Sequence, residues 1–197
     1  PPLLTCSSAS VMLMRSMLGL VLLWPLIHRA GGLRAMRSQR LPLHVGRNLV
    51  HYAAQYGWFA ALALIPLAQL VAIEFTMPIW SALLAAAMLG ERLDKAKIAA
   101  VVLGLAGVWV IVRPDAAQLN AGQWIALAAA LGFGISVVLV KSLTRTDAAV
   151  QVSFWMLVVQ SAIGLLPALA VWQWPQAHTW GWVLLVAFCG TYSHYCF

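Results

Sequence analysis

The chain is a succession of long apolar runs separated by short basic connectors, and this alternation limits its fold more than any single residue does. A bilayer's hydrocarbon core takes about 20 residues of helix to cross. Six runs of about that length are present, at 6–27, 48–65, 67–90, 96–113, 122–141 and 150–172, and a seventh starts near Trp180. Lipid offers no partner to backbone N–H and C=O groups, so each run is predicted to be a helix. The fourth is short, with Lys97 and Arg113 placed to snorkel at its ends. Composition agrees. With 63% of residues hydrophobic and 9% charged over 197 residues, there is more apolar surface than one core can bury. Ten tryptophans suit a chain with two membrane–water interfaces. The first run is long and ends on a basic loop, unlike a signal peptide. Pro1 and the mid-run Phe197 suggest a fragment at both ends.

The connectors set a topology. Loops 28–47, 91–97 and 141–149 carry ten basic residues, whereas the intervening loops around Pro66, 113–121 and 173–180 carry only Arg113. Such a split places the basic loops in the cytoplasm, so the first visible helix runs from outside to inside. The net charge of +7 therefore reads as membrane orientation and not as a nucleic-acid footprint. Cys6, Cys189 and Cys196 lack metal-ligand or CxxC spacing and read as small buried hydrophobes. No cofactor or metal is expected.

Weak internal symmetry follows. Arg15-Ser16-Met17-Leu18-Gly19-Leu20 resembles Gln160-Ser161-Ala162-Ile163-Gly164-Leu165 at an offset of 145, and His51-Tyr52 matches His194-Tyr195 at 143. The near-constant offset relates helices of opposite direction. A duplicated unit with an odd number of helices gives that inversion, and five per repeat fits the count.

Pro78-Ile79-Trp80-Ser81-Ala82-Leu83-Leu84, followed by Leu89-Gly90-Glu91-Arg92-Leu93, resembles the end of the fourth helix in EamA-type members of the drug/metabolite transporter superfamily. Gly104-Leu105-Ala106-Gly107-Val108 and Arg113-Pro114 resemble that family's fifth helix, and Arg15 stands where an arginine is common in its second. Alanine-rich 122–141 resembles the helix that opens the second repeat. The resemblance implies an all-α polytopic transmembrane helix bundle of inverted five-helix repeats, with about seven of ten helices present. Residues 1–115 would be a first repeat lacking its first helix, and 120–197 the start of a truncated second. The second repeat's own P…GE block is absent.

Glu74 is the foremost candidate for a solute pathway. It lies about seven residues into its run, roughly 10 Å deep, where an ionised carboxylate costs on the order of 2–3 kcal/mol. Pro78 lacks an N–H, which predicts a kink beside Glu74 with the carbonyl of residue 74 freed. Together they would make a polar notch for an amine, a proton or a cation. The competing reading is a glutamate that salt-bridges a neighbouring helix or sets register at the outer interface. Arg15, near mid-membrane, would bind an anionic group or pair with Glu74; otherwise it is a structural ion pair or a snorkelling side chain. Its repeat counterpart is Gln160. His51, Tyr52, Gln55 and Tyr56 share a helix face near the cytoplasmic end, as a solute path or an interfacial cluster. Gln69, Thr76 and Trp80 add polar and aromatic groups near Glu74, and Trp80 suits cation–π contact or simple packing. Gly90 is expected to end its helix, with Glu91 and Lys95 an i,i+4 pair.

No nucleophile elbow, P-loop or paired catalytic carboxylates are present, and five acidic residues leave little scope for acid–base catalysis. The chain reads as part of a multi-pass inner-membrane permease, not an enzyme. It would move a small metabolite by alternating access, with proton-linked export or exchange as the default the resemblance implies. The expected partners are a small-molecule solute and the lipid bilayer, with no nucleic acid; a homodimer is compatible with the reading. The alternative is a non-transporting integral-membrane protein, a structural or assembly subunit or a sensor.

Overall fold

The computed structural model describes residues 8–91, 94–112, 120–172, 174 and 179–196. The fold is all-α. Its helices are α1 (Ser8–Arg29), α2 (Leu41–Leu62), α3 (Leu67–Glu74), α4 (Met77–Leu89), α5 (Lys95–Val112), α6 (Ala121–Leu143), α7 (Ala149–Ala170) and α8 (Trp180–Cys196), with a short 3-10 segment, Leu33–Met36, between α1 and α2.

Among the described residues, Ala9–Arg29, Leu67–Leu89, Ala121–Leu143 and Ala149–Ala170 are long and apolar enough to cross a membrane. Ile98–Val110 and Trp180–Ser193 are shorter apolar helices. Large apolar side chains such as Leu166, Trp109 and Leu103 lie 70–78% exposed, as lipid contact demands and water would penalise. α2 departs from the expected run at 48–65. It begins at Leu41, seven residues inside the expected basic loop, because His44, Arg47 and Asn48 are helical and buried. Arg47 is thus a helix-core residue and not a loop charge.

The chain forms two compact units, one of residues 1–49 and 143–197 and the other of residues 50–142. In the first, α1 packs against α7 and α8. Leu23, Ile27, Met36, Met156 and Leu157 make one core cluster, and Ala9, Leu13 and Ala168 a second. Gly19 permits this packing: a Cβ there would lie 2.8 Å from a Leu157 methyl and 2.6 Å from Thr191 Oγ1. The loop after α1 is pinned to α7, since Trp155 Nε1 donates to Met36 O at 2.8 Å and Gln151 Nε2 to Ala35 O at 2.7 Å.

In the second unit, Ala61, Ile65, Leu70, Ala72, Ile73 and Ala126 form the core. α4 and α6 approach closely at Gly134, where a Cβ would meet Trp80 Cβ at 2.8 Å and the Ser81 nitrogen at 3.2 Å. The run at 67–90 is one span but two helices. α3 stops at Glu74 and α4 restarts at Met77, so Pro78 occupies the first turn of a new helix, where its missing N–H costs nothing. The single kinked helix is corrected to a break at Phe75-Thr76. Gly90 closes α4 in the left-handed region, at φ 69°, as its sequence position indicates.

Candidate functional site

In the first unit, the sequence-predicted Arg15 and Gln160 meet. Arg15 Nη2 donates to Gln160 Oε1 at 2.7 Å, and the two residues are 7% and 1% exposed. A buried, charge-assisted bond of this kind is roughly twice as strong as a neutral one. α7 supplies Gln160 from the stripe Ser153, Leu157, Gln160, Gly164 that it buries at helical spacing. α8 leaves room for the guanidinium: at Gly190 a Cβ would stand 3.1 Å from Arg15 Nη1.

Sequence reasoning missed the neighbours contributed by α2. Arg47 is buried, and its Nη1 donates to Asn48 Oδ1 at 2.7 Å. Asn48 Nδ2 in turn donates to the His44 carbonyl at 2.8 Å. The two arginines lie within Coulombic reach of each other. The available signal was the spacing His44, Arg47, Asn48, His51, Gln55, a polar stripe at i, i+3, i+4, i+7 and i+11 that counting apolar residues passes over. Thr191 and Ser153 are buried in this unit as well, and Gln160 Nε2, Arg47 Nε, Ser153 Oγ and Thr191 Oγ1 have no hydrogen-bond partner among the described residues.

A second feature was also missed, at the basic end of this unit. Asp147, 8% exposed, accepts from Ser38 Oγ at 2.5 Å and from His44 Nε2 at 2.7 Å. Burial pushes its pKa up, but hydrogen bonds from His44, Ser38 and Thr146 outweigh that and hold it below the usual carboxylate value. This clasp ties the α6–α7 loop to the start of α2.

The second unit holds Glu74, Pro78, Trp80, His51 and Gln55. Glu74 is half-buried, and its Oε2 accepts from Trp58 Nε1 at 2.8 Å. Among the described residues this indole, and not a cation, is its partner. Thr76 Oγ1 donates to the Ile73 carbonyl at 2.7 Å across the helix break, and Trp80 Nε1 donates to Thr76 Oγ1 at 3.2 Å. Pro78 itself is exposed. His51 and Tyr52 are buried and Gln55 half-buried, but Tyr56 is 55% exposed, so the expected four-residue face divides. His51 Nδ1 lies 3.2 Å from Ser136 Oγ. Glu91 pairs with Lys141 of α6, and both line a cavity of about 200 Å³ between α4 and α6. Cys189 is an exposed free thiol and not the buried hydrophobe expected. Cys6 and Arg113 lie outside the described residues, as do the side chains of Lys97 and Cys196.

The EamA-like transporter family matches residues 3–113, more than half of the chain. The chain belongs to this family. It is 34% identical over 147 residues to a riboflavin transporter of Brucella anthropi, covering 74% of this chain and 51% of the relative. It is 26% identical over 180 residues to a riboflavin transporter of Vibrio cholerae, covering 91% and 60%. An S-adenosylmethionine uptake transporter of Rickettsia prowazekii is 22% identical over 74% of this chain and 50% of its own length. The chain thus spans about half the length of such relatives. A solved crystal structure shares its fold, with a TM-score of 0.74 and 21% identity over 95% of this chain and 67% of that one.

Proposed function

We propose that the complete protein is a small-metabolite permease of the inner membrane, working by alternating access between two inverted repeats. Residues 1–115 would belong to the first repeat and 120–197 to the second, with the basic connectors in the cytoplasm. The observation that carries this reading is the Arg15–Gln160 bond. The two residues are separated by the repeat offset of 145. In a structure with twofold pseudosymmetry, equivalent positions meet at the axis, which is where transporters of repeated design bind solute. The candidate pathway residues of the first unit are Arg15 and Gln160; those of the second, taken by itself, are Glu74, Pro78, Trp80, His51 and Gln55. The riboflavin and S-adenosylmethionine transporters among the relatives support polar, heterocycle-bearing metabolites as the solute class.

The test is uptake of radiolabelled riboflavin and S-adenosylmethionine into proteoliposomes containing the complete protein. Saturable uptake of either above protein-free vesicles is expected, with at least a tenfold loss in Arg15→Ala. Uptake of neither solute above the protein-free rate would overturn the reading. Undiminished transport by Glu74→Gln would remove Glu74 from the pathway.

A further inference from the structure

The buried cluster in the first unit is made of hydrogen-bond donors to a degree that fold stability alone does not require. Arg15 and Arg47 are anchored by amide oxygens, Gln160 Oε1 and Asn48 Oδ1, which accept hydrogen bonds without cancelling charge. That anchoring uses up the amide acceptors and leaves donors over. Gln160 Nε2 and Arg47 Nε are buried without a partner among the described residues, and the hydroxyls of Ser153 and Thr191 join them. Burying such a group without a partner destabilises the fold. Gly190 keeps side-chain bulk away from Arg15 Nη1, with a Cβ there only 3.1 Å distant. At the offset of 143 that matches His51-Tyr52 to His194-Tyr195, position 190 corresponds to Arg47, and its glycine gives the Arg15 guanidinium the room a side chain would take.

Resting on the permease reading above, we propose that Arg15, Arg47 and Gln160 recognise an acceptor-only edge of the solute. That edge would be two neighbouring acceptor atoms, the oxygens of a carboxylate or a ring carbonyl beside an unprotonated ring nitrogen, which take N–H bonds and return none. A guanidinium fork matches two such acceptors in its own plane. Gln160, holding the fork by its oxygen, turns its NH₂ group into a further donor for the same edge. A solute presenting ammonium donors alone leaves these donors unsatisfied and is rejected, the asymmetry that makes buried polar sites selective.

The experiment measures equilibrium binding of two probes to the complete protein in detergent: riboflavin, whose ring carbonyls each adjoin an unprotonated ring nitrogen, and S-adenosylmethionine, which carries a carboxylate. Melting temperature is followed in parallel. Gln160→Glu is nearly isosteric and places an acceptor against Arg15. It is expected to leave the melting temperature unchanged or higher while weakening the bound probe at least tenfold, because the side chain then occupies the donors the solute uses. Arg47→Lys keeps the charge but loses Nε and the fork, and a similar loss is expected. Which probe the unsubstituted protein binds separates the ring edge from the carboxylate. Unaltered affinity in both variants overturns the inference while leaving the permease reading intact. If the unsubstituted protein binds neither probe, the proposed solute class fails, and this inference with it.

Discussion

Asp147→Ala tests how far the basic end of the first unit depends on a single carboxylate. In the native protein Asp147 accepts from two donors, Ser38 Oγ at 2.5 Å and His44 Nε2 at 2.7 Å, and His44 is fully buried. A hydrogen bond to a charged group contributes about 1.5–3 kcal/mol, and a buried donor left unpaired costs about 1–3 kcal/mol. Ser38 is half-buried and recovers part of its loss from water, whereas His44 does not. The expected net destabilisation is about 3 kcal/mol, a factor of roughly 10² in the folding equilibrium. Reversible denaturant unfolding of the complete protein in detergent, followed by tryptophan fluorescence, reads this directly. The pH dependence has a definite sign. The folded pKa lies below the unfolded value of about 3.9. The carboxylate's contribution is therefore fully present above that value and fades as pH falls through the folded pKa. On the carboxylate's own titration, the gap between native protein and Asp147→Ala should persist down to pH 5 and close only below about pH 4. A destabilisation under 1 kcal/mol, or a gap that closes near neutrality, would refute the clasp as described.

Three further outcomes are expected. Gly134→Leu drives a side chain into Trp80 Cβ and the α4 backbone, within 2.8 and 3.2 Å of its Cβ, and should cost about 1–3 kcal/mol or more, seen as a lowered melting temperature. Trp58→Phe removes the donor to Glu74 Oε2 and should cost about 1–3 kcal/mol in the same assay, with Glu74→Gln in the Trp58→Phe background adding little, since the bond is already gone. In a cysteine-free background, Gln39→Cys and Arg145→Cys should react with an impermeant maleimide from one side of the membrane and Asn120→Cys from the other; labelling of all three from one side would overturn the topology.

The bundle was legible because lipid imposes a length and a composition on every span, and five of the seven apolar runs begin within a few residues of the observed helices. The span at 67–90 is the sixth, its interior misread: Pro78 signalled an interruption, but whether a proline kinks a helix or opens a new one depends on the preceding turn, here the bond from Thr76 N to Ile73 O at 2.9 Å. α2 was misjudged for a different reason. Its first two turns carry His44, Arg47 and Asn48, whose polar groups are satisfied or buried by residues more than 100 positions away, such as Asp147. Local hydropathy does not register such partners. Arg15 and Gln160 stood out because an isolated polar residue in an apolar run is costly and so rarely incidental. Ser153 and Thr191 did not, since a hydroxyl in a membrane helix is common and only its burial among other donors gives it meaning. Glu91 illustrates the same limit: the fold brings Lys141 of α6 against it, a partner 50 residues away that local spacing does not indicate.

The central claim is that a solute crosses the membrane by way of this polar interior, one side opening at a time. Counterflow tests it most directly. Vesicles containing the complete protein are loaded with unlabelled riboflavin or S-adenosylmethionine and diluted into trace label. A carrier predicts transient accumulation of label against its gradient, lost in Arg15→Ala. Label that only equilibrates, at the rate of protein-free vesicles for both solutes, would contradict the account.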